Sequence, residues 1–169
     1  MADSISPEAR SRNMQRIRSA HTKPELLVRS ALHAAGLRFR LHRKDLPGRP
    51  DLVLPKYRAA VFVHGCFWHQ HPGCIDFGVP GSNQAYWEPK LKATVARDRA
   101  HRRALATMGW RVFVIWECET VSERRVARLV GHIRQGDYES REIPPRGAGA
   151  AAKKSLLMAQ ARLRGPERR

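Results

Sequence analysis

The sequence predicts an α/β domain in which helices flank a mixed central sheet. Three observations lead to this fold class: an apolar run of strand length at residues 59–63, a second at residues 110–117, and a long basic helical stretch between them. A strand, a helical crossover and another strand form a parallel pair with a right-handed connection. A hairpin signal before the first run adds an antiparallel neighbour. The 169 residues suit one domain with a proper core.

The N-terminal part of the chain predicts two helices followed by a strand. Residues 6–8, Ser-Pro-Glu, form a helix start, and the helix that follows carries four arginines. Thr22-Lys-Pro-Glu25 has the capping-box pattern and begins a second helix, which ends at Ala35 before Gly36. Residues 37–42 alternate apolar and basic side chains, which is the period of a half-buried strand.

A hairpin is predicted next. A short strand that begins at Asp51 and a longer one that ends just before His64 are joined by a turn at residues 55–58. If Leu54 faces Ala59, antiparallel pairing carries Asp51 and His64 to the same edge of the sheet. The hairpin therefore brings a carboxylate and an imidazole together.

The second half of the chain contains a loop, two helices and a tail. Residues 77–86 are rich in Gly, Pro, Ser and Asn, and we expect a loop there. Pro89 is expected to begin a long basic helix that runs to Met108. Residues 122–134 predict an amphipathic helix. The folded domain is expected to span residues 1–143, and residues 144–169 form a basic tail without stable structure.

The charge balance points to a polyanionic partner. Lys and Arg number 32 against 15 Asp and Glu, which gives a net charge of +17 and a pI of about 11.2. Such a field attracts nucleic acid. No apolar stretch approaches the roughly 20 residues that span a bilayer, and the polar N-terminus does not predict a signal peptide. We therefore expect a cytoplasmic protein with no membrane partner.

The cysteines predict a metal site. Three cysteines are a poor basis for disulfides, and cysteines beside histidines in a reducing compartment more often bind metal. Cys66, His71 and Cys74 follow the first buried strand, and the parallel pairing would bring Cys118 beside them. This Cys3His set suits a structural tetrahedral zinc. The alternative is three idle thiols near a chance histidine.

A second, harder cation is predicted at Asp51. A carboxylate there could bind Mg²⁺, the ion used in phosphodiester chemistry. His64 shares its edge of the sheet, and His69 follows within the cysteine-bounded loop, where a neutral imidazole could take a proton from water. The alternatives are that Asp51 caps the strand or pairs with Arg49, and that the histidines are structural.

Aromatic side chains lie close to these residues in the sequence. Phe67 and Trp68 fall inside the loop, and Trp87 follows Tyr86 at the end of the next loop. Exposed rings near a basic groove can stack on bases or wedge between base steps. Met14 on the arginine-bearing helix could enter from the other groove. The alternative for all five is packing in the protein.

Taken together, these residues resemble the very short patch repair endonucleases (the Vsr family), bacterial enzymes that nick DNA beside T·G mismatches. The match covers roughly residues 11–134. The matching segments are Arg12-Asn-Met14, Thr22-Lys-Pro-Glu25, Leu46-Pro-Gly-Arg-Pro-Asp51, Phe62-Val-His-Gly-Cys-Phe-Trp-His69, Tyr86-Trp87, Arg97-Asp98 and Gly109-Trp-Arg-Val with Trp116-Glu-Cys118.

The resemblance implies a restriction-endonuclease-like core: a mixed central sheet flanked by helices, with residues 1–21 as an N-terminal helical arm that clamps the duplex. It implies that Asp51 binds the catalytic Mg²⁺ together with the main-chain carbonyl of Val63. His69 would be the general base, and His64 and Glu25 would position hydrated metal and phosphate.

The resemblance also implies roles for the loops. The structural zinc would be held by Cys66, His71, Cys74 and Cys118. The residues that contact DNA would be Met14, Phe67, Trp68, Trp87 and Lys90, with the three rings as a wedge beside the mismatch and the methionine as the opposing plug. The implied reaction is Mg²⁺-dependent hydrolysis on the 5′ side of the mispaired thymine by a monomer at the bacterial nucleoid. The nick would serve a DNA polymerase and mismatch-repair proteins.

Two departures from the family pattern leave alternative hypotheses about the function open. Val63 stands where the family often has threonine, and Thr94 stands where asparagine is common. A general or restriction-type nicking endonuclease without mismatch selectivity therefore remains an alternative. A non-catalytic, zinc-stabilised DNA-binding module is the other.

Overall fold

The computed structural model describes residues 20–81 and 83–135. The helix predicted from Ser6, Met14 and the tail at residues 144–169 lie outside the described residues, as does all of the arm except its last two residues. The helices are α1 (Lys23–Ala34), α2 (Gln84–Thr107), α3 (Glu117–Thr120) and α4 (Glu123–Gln135), and a 3₁₀ turn occupies Pro55–Tyr57. The strands are β1 (Arg40–Leu41), β2 (Leu52–Leu54), β3 (Ala59–His64) and β4 (Arg111–Trp116).

The four strands form one mixed sheet in the order β1-β2-β3-β4. β1 pairs antiparallel with β2, and β2 with β3, whereas β3 and β4 run parallel. Leu54 faces Ala59, as the sequence predicted. The last pair of the parallel ladder is His64 and Trp116, so the chain leaves both strands at the same edge. The predicted hairpin and parallel crossover are confirmed.

Helices cover both faces of the sheet because side chains alternate along each strand. Phe113 and Ile115 face α1 and α4, where they pack with Val28, Leu32, Leu129 and Ile133. Val112, Val114 and Trp116 face the other way, onto Leu105 of α2. The same alternation puts His64 on the side of the sheet that α2 covers.

The predicted strand at residues 37–42 is wrong in extent, because only Arg40 and Leu41 join the sheet. The amide of Leu37 donates to the carbonyl of Leu32 at the end of α1, and its side chain is buried in the core. At the other end, His42 adopts a positive φ of 46°. The alternation therefore reflects burial of Leu37 and Phe39 rather than ladder pairing.

The long basic helix begins at Gln84, five residues before the predicted start at Pro89. Pro89 is the sixth residue of this helix, so its missing N–H removes one backbone bond, the one to the carbonyl of Ala85. Trp87, in the first turn, is buried and fixes this segment to the protein. The helix ends close to the predicted position, with Gly109 at a φ of +77°.

Truncation of Phe113 tests the central packing. This side chain is fully buried between the sheet and the two helices, so Phe113→Ala is expected to lower the free energy of unfolding by about 3–5 kcal/mol through lost burial and a cavity. Chemical denaturation measures it. Val121→Ala is the control, because Val121 is 76% exposed, and a loss for Phe113→Ala no larger than the control's would contradict this packing.

Candidate active site and metal centre

The residues predicted for catalysis line a single cleft of about 1100 Å³ at the edge of the sheet. Its walls include the predicted DNA-contact residue Trp68 and the five residues predicted for catalysis and Mg²⁺ binding: Glu25, Asp51, Val63, His64 and His69. α1 supplies the first, the segment before β2 the second, and β3 and the following loop the rest. The hairpin register accounts for the meeting of Asp51 and His64, as the sequence predicted.

Asp51 is held by the backbone of the neighbouring strand. Its Oδ2 accepts a hydrogen bond of 2.7 Å from the Val63 N–H, and its side chain is only 18% exposed. Burial raises the pKa of this carboxyl to about 6, the Val63 hydrogen bond opposes the rise, and the nearby Glu25 adds to it. A carboxylate kept ionised in such a place is suited to bind a cation.

His69 is paired with a carboxylate, Asp98, that the sequence analysis quoted within the Arg97-Asp98 segment but gave no role. Its Nδ1 lies 2.6 Å from Oδ2 of Asp98, which α2 carries. Although burial opposes the effect, the hydrogen bond from His69 keeps the pKa of Asp98 below its usual value. Because an ionised carboxylate only accepts, Nδ1 carries the ring proton and Nε2 is left to accept another.

His64 forms a flat support under His69. The two rings are stacked, with centroids 3.9 Å apart and planes within 11°. His64 is 6% exposed, and burial lowers its pKa to about 3, so this imidazole is neutral. It therefore fixes the plane of the neighbouring ring without adding a charge.

Glu25 is engaged by protein donors at both oxygens. The capping box occupies Oε1, which accepts from the Thr22 hydroxyl at 3.0 Å. Oε2 accepts from the His21 amide at 3.0 Å and from Arg29 at 2.7 Å. Glu25 thus lies in the cleft but is tied to its own helix. Its predicted role in positioning metal and phosphate stays a prediction.

Arg29 and His42 join the site without having been selected from the sequence. Arg29 Nη2 lies 2.9 Å from His42 Nε2, and His42 Nδ1 lies 3.8 Å from Asp51 Oδ1. Burial lowers the pKa of His42, and Glu25 opposes the change. The sequence showed His42 only as the polar end of a strand.

The predicted cysteine–histidine cluster converges on one point. The ligand atoms of Cys66, His71, Cys74 and Cys118 all lie within 4.8 Å of one another. His71 Nδ1 is 3.7 Å from the Cys66 sulfur and 3.4 Å from that of Cys118. Zn–S bonds of about 2.3 Å place tetrahedral sulfurs about 3.8 Å apart, so the donor set fits zinc. Four such residues could hold a metal ion.

The parallel ladder explains how Cys118 reaches this cluster. It follows β4 in the first turn of α3, whereas Cys66 follows β3, and the two strands end side by side. Burial raises the pKa of the Cys66 thiol to about 12, so only a bound cation would favour its thiolate. The predicted approach of Cys118 to Cys66 is confirmed.

Stacked rings connect the two sites. The His71 ring lies on the Trp116 indole at 4.3 Å with planes within 13°. The same indole meets the His64 ring edge-on at 5.4 Å. The cysteine–histidine cluster and the stacked imidazoles of the cleft thus share one buried tryptophan.

The predicted wedge residues form one cluster. The rings of Phe67, Trp68 and Trp87 lie 5.1–5.9 Å apart in mutual edge or tilted contacts. The Lys90 ammonium lies over Trp68, Tyr86 and Trp87 at 4.9–5.9 Å. Trp87 is 7% exposed, so it supports the other two rings from beneath.

Basic side chains line the cleft beside these rings. They are Arg49, Arg97, His101 and Arg102. Such a wall is suited to the phosphate backbone of a nucleic acid. Within residues 20–81 and 83–135, no helix has the length and apolar character needed to cross a bilayer.

Comparison with known proteins identifies relatives of this chain. A family model described as DNA mismatch endonuclease Vsr matches residues 2–74. The chain is 56% identical over 119 residues to the Type II nicking enzyme V.XorIIP of Xanthomonas oryzae pv. oryzae, covering 70% of this chain and 87% of that protein. It is 43% identical over 118 residues to the DNA mismatch endonuclease Vsr of Escherichia coli, covering 70% of this chain and 75% of that protein.

A third relative extends the similarity. The Type II nicking enzyme V.NmeAIP of Neisseria meningitidis is 40% identical over 138 residues, which is 79% of this chain and 98% of that protein. These relatives are named as endonucleases or nicking enzymes. The alternative hypothesis, a non-catalytic DNA-binding module, is therefore excluded.

Loss of one cluster cysteine tests the metal centre. A serine hydroxyl is a poor zinc ligand, so Cys118→Ser is expected to lose bound zinc and lower the melting temperature. Elemental analysis and thermal denaturation measure both. His33→Asn, an exposed histidine outside the cluster, is the control. Zinc content and stability equal to those of the unaltered protein would contradict a four-ligand site.

Neutralisation of Asp51 tests its electrostatic cost. Because folding raises its pKa from 3.8 to about 6, the ionised carboxylate destabilises the folded chain at neutral pH, and this cost disappears as the pH falls through 6 toward 3.8. Asp51→Asn keeps an acceptor for the Val63 N–H. At pH 7 without added Mg²⁺ we expect it to raise the free energy of unfolding by about 1–3 kcal/mol.

Denaturation at pH 7 and pH 4 measures this gain, which should shrink at the lower pH. Glu123→Gln, at an exposed position, is the matched control. A destabilised Asp51→Asn protein at pH 7 would show that the carboxylate is not under electrostatic strain.

Proposed function

The chain belongs to the Vsr family of DNA mismatch endonucleases, and we propose that it hydrolyses the phosphodiester on the 5′ side of the thymine in a T·G mismatch, nicking one strand. The observation that carries this proposal is the meeting of Asp51, Val63, His64 and His69 in one cleft beside a cluster of aromatic rings. The relative from Escherichia coli, 43% identical, is named a mismatch endonuclease.

The residues at the hairpin fit Mg²⁺, which prefers oxygen ligands. Asp51 offers Oδ1, since Oδ2 accepts from the Val63 N–H. In an extended strand the N–H and C=O of one residue point to the same side, so the Val63 carbonyl faces the same edge. These two groups would hold the ion. When bound, Mg²⁺ supplies charge stabilisation to the phosphodiester during hydrolysis.

His69 is suited to act as the general base. Its Nε2 takes a proton from water, and the resulting hydroxide oxygen attacks phosphorus as the bond to the 3′-oxygen of the preceding nucleotide breaks. That oxygen leaves and takes a proton from solvent, giving a 3′-hydroxyl and a 5′-phosphate. Asp98 stabilises the imidazolium that forms, through the 2.6 Å contact with Nδ1. His64, stacked beneath, keeps the ring from rotating.

The surrounding surface is suited to a distorted duplex. Arg49, Arg97 and Arg102 would contact phosphates, and the net charge of +17 would draw the protein to DNA. The rings of Phe67 and Trp68, supported by Trp87 and Lys90, would enter beside the mismatch. Zinc on the cysteine–histidine cluster would hold this loop against the sheet.

The wider setting follows from this reaction. The mixed sheet with its site at a hairpin is compatible with a restriction-endonuclease-like core. Met14 and the arm at residues 1–21 would close on the duplex from the other groove. A nick in the thymine strand gives a DNA polymerase its starting point, with mismatch-repair proteins as further partners. We propose that the protein acts as a monomer on the bacterial nucleoid, in the cytoplasm.

A nicking endonuclease without mismatch selectivity is the second candidate. The relative at 56% identity is named a Type II nicking enzyme. Thr94, where asparagine is common in the family, donates its hydroxyl to the Lys90 carbonyl of its own helix at 3.1 Å. The hydroxyl therefore donates within its own helix and is not available as a donor to DNA.

A nicking assay with Mg²⁺ on matched and T·G-containing duplexes, each strand labelled in turn, tests both candidates. We expect a nick only in the thymine strand of the mismatched duplex. Asp51→Asn should reduce the rate at least about 100-fold because a metal ligand is lost, while DNA binding persists. Equal nicking of both duplexes would favour the second candidate. Retained nicking by Asp51→Asn would refute the metal assignment.

A further inference from the structure

The buried guanidinium of Arg29 is bound by three side chains next to Asp51. Its Nη2 contacts Glu25 Oε2 at 2.7 Å and His42 Nε2 at 2.9 Å, and its Nη1 lies 2.8 Å from His21 Nδ1. Arg29 is 8% exposed and Glu25 is 3% exposed. A cation at this depth is tolerated only when its partners compensate its lost hydration.

The chemistry of the guanidinium determines the tautomers of both histidines. Arginine has N–H donors and no acceptor, so His42 Nε2 and His21 Nδ1 must accept. A neutral His42 then carries its proton on Nδ1. That nitrogen faces Oδ1 of Asp51 at 3.8 Å, while the Val63 N–H holds Oδ2 at 2.7 Å. The Val63 N–H is hydrogen-bonded to Oδ2, whereas 3.8 Å is too long for a hydrogen bond, so the His42 N–H faces Oδ1 across a gap and leaves this oxygen open to a cation.

The same contacts argue against a second ion at this wall. Ligand atoms of Glu25, His42 and Asp51 lie within 4.8 Å of one another, which is a spacing that a metal site could have. The guanidinium of Arg29, however, already engages Glu25 Oε2 and His42 Nε2. The positive charge on this side of the cleft is therefore supplied by the Arg29 side chain rather than by a bound metal ion.

We propose that Arg29 and His42 are positioning residues for Asp51, an inference that rests on the proposed function. Arg29 fixes the tautomer of His42 so that its Nδ1–H edge faces Oδ1 of Asp51 at 3.8 Å, while the Val63 N–H holds Oδ2 and so orients Oδ1 toward Mg²⁺. Arg29 contacts Asp51 through His42, and its positive charge also acts on the carboxyl directly, lowering its pKa against the rise that burial causes. Such supporting contacts commonly change metal affinity or activity about 10- to 100-fold.

The tautomer is tested by nitrogen NMR of the imidazoles in the full-length protein, with the His42 signals assigned by their loss in His42→Asn. We expect the Nδ1–H tautomer in the unaltered protein and its loss in Arg29→Met. An Nε2–H tautomer in the unaltered protein would overturn the inference. This measurement does not depend on activity.

The effect on the metal site is tested by calorimetry with MgCl₂ and by the nicking rate. His42→Phe keeps a ring but removes the donor, and should lower Mg²⁺ affinity and kcat about 10-fold or more with little change in KM for DNA. His42→Asn places an amide N–H where Nδ1 was, and should stay within about threefold of the unaltered protein. Arg38→Met is the control, because Arg38 is exposed and bonds the His33 carbonyl outside the cleft.

Arg29→Met leaves Glu25 buried without its partner, so its thermal unfolding is checked before its activity is read. His42→Phe avoids this difficulty because the His42 side chain is 20% exposed and its replacement leaves the Arg29–Glu25 ion pair in place. Unchanged Mg²⁺ affinity and kcat in His42→Phe would overturn the inference while the proposed function stands. Absence of nicking by the unaltered protein would refute the proposed function, and the NMR result would still decide the link between Arg29 and His42.

Discussion

The parallel pairing of β3 with β4 is the constraint on which the rest of the structure depends. Its last pair, His64 and Trp116, ends both strands at one edge of the sheet. The loop that follows the first strand carries the catalytic candidate His69, and Cys118 follows the second. Without this pairing, the two halves of the cysteine–histidine cluster would not meet, and the imidazoles would lose the indole that supports them.

Two buried charged groups of the site lower the stability of the folded protein while serving its proposed function. Asp51 is buried enough that its carboxyl resists ionisation, yet it must be ionised to bind a cation. Arg29 is a buried cation whose hydration is replaced by Glu25 and two imidazoles. Arrangements of this kind are costly in the isolated protein. They are expected where charge must already be in place before a substrate arrives.

Local patterns predicted the main elements because those patterns report burial. Runs at residues 59–63 and 110–117 are apolar on both sides, as a sheet covered by helices on both faces requires. The errors have the same origin. Leu37 is buried and Phe39 is partly buried, although neither joins the ladder. The buried Trp87 lies in the part of α2 that precedes Pro89, so the helix begins earlier than predicted. Asp98 was quoted only within the Arg97-Asp98 segment and given no role, because an acid on a basic helix shows no chemistry by itself. Arg29 and His42 stood out only as ordinary polar positions.

What the sequence determined by itself was the set of chemical groups and the edge at which they gather, because the hairpin register and the crossover direction follow from short-range periodicity and chirality. Asp51, His64, His69 and the four members of the cysteine–histidine cluster were found in this way. Only the tertiary structure decided which groups act on them. The contacts of Asp98 with His69, and of Arg29 with His42, join residues 29 and 13 positions apart on separate elements. Such contacts depend on how helices pack on the sheet, and no local pattern records that packing.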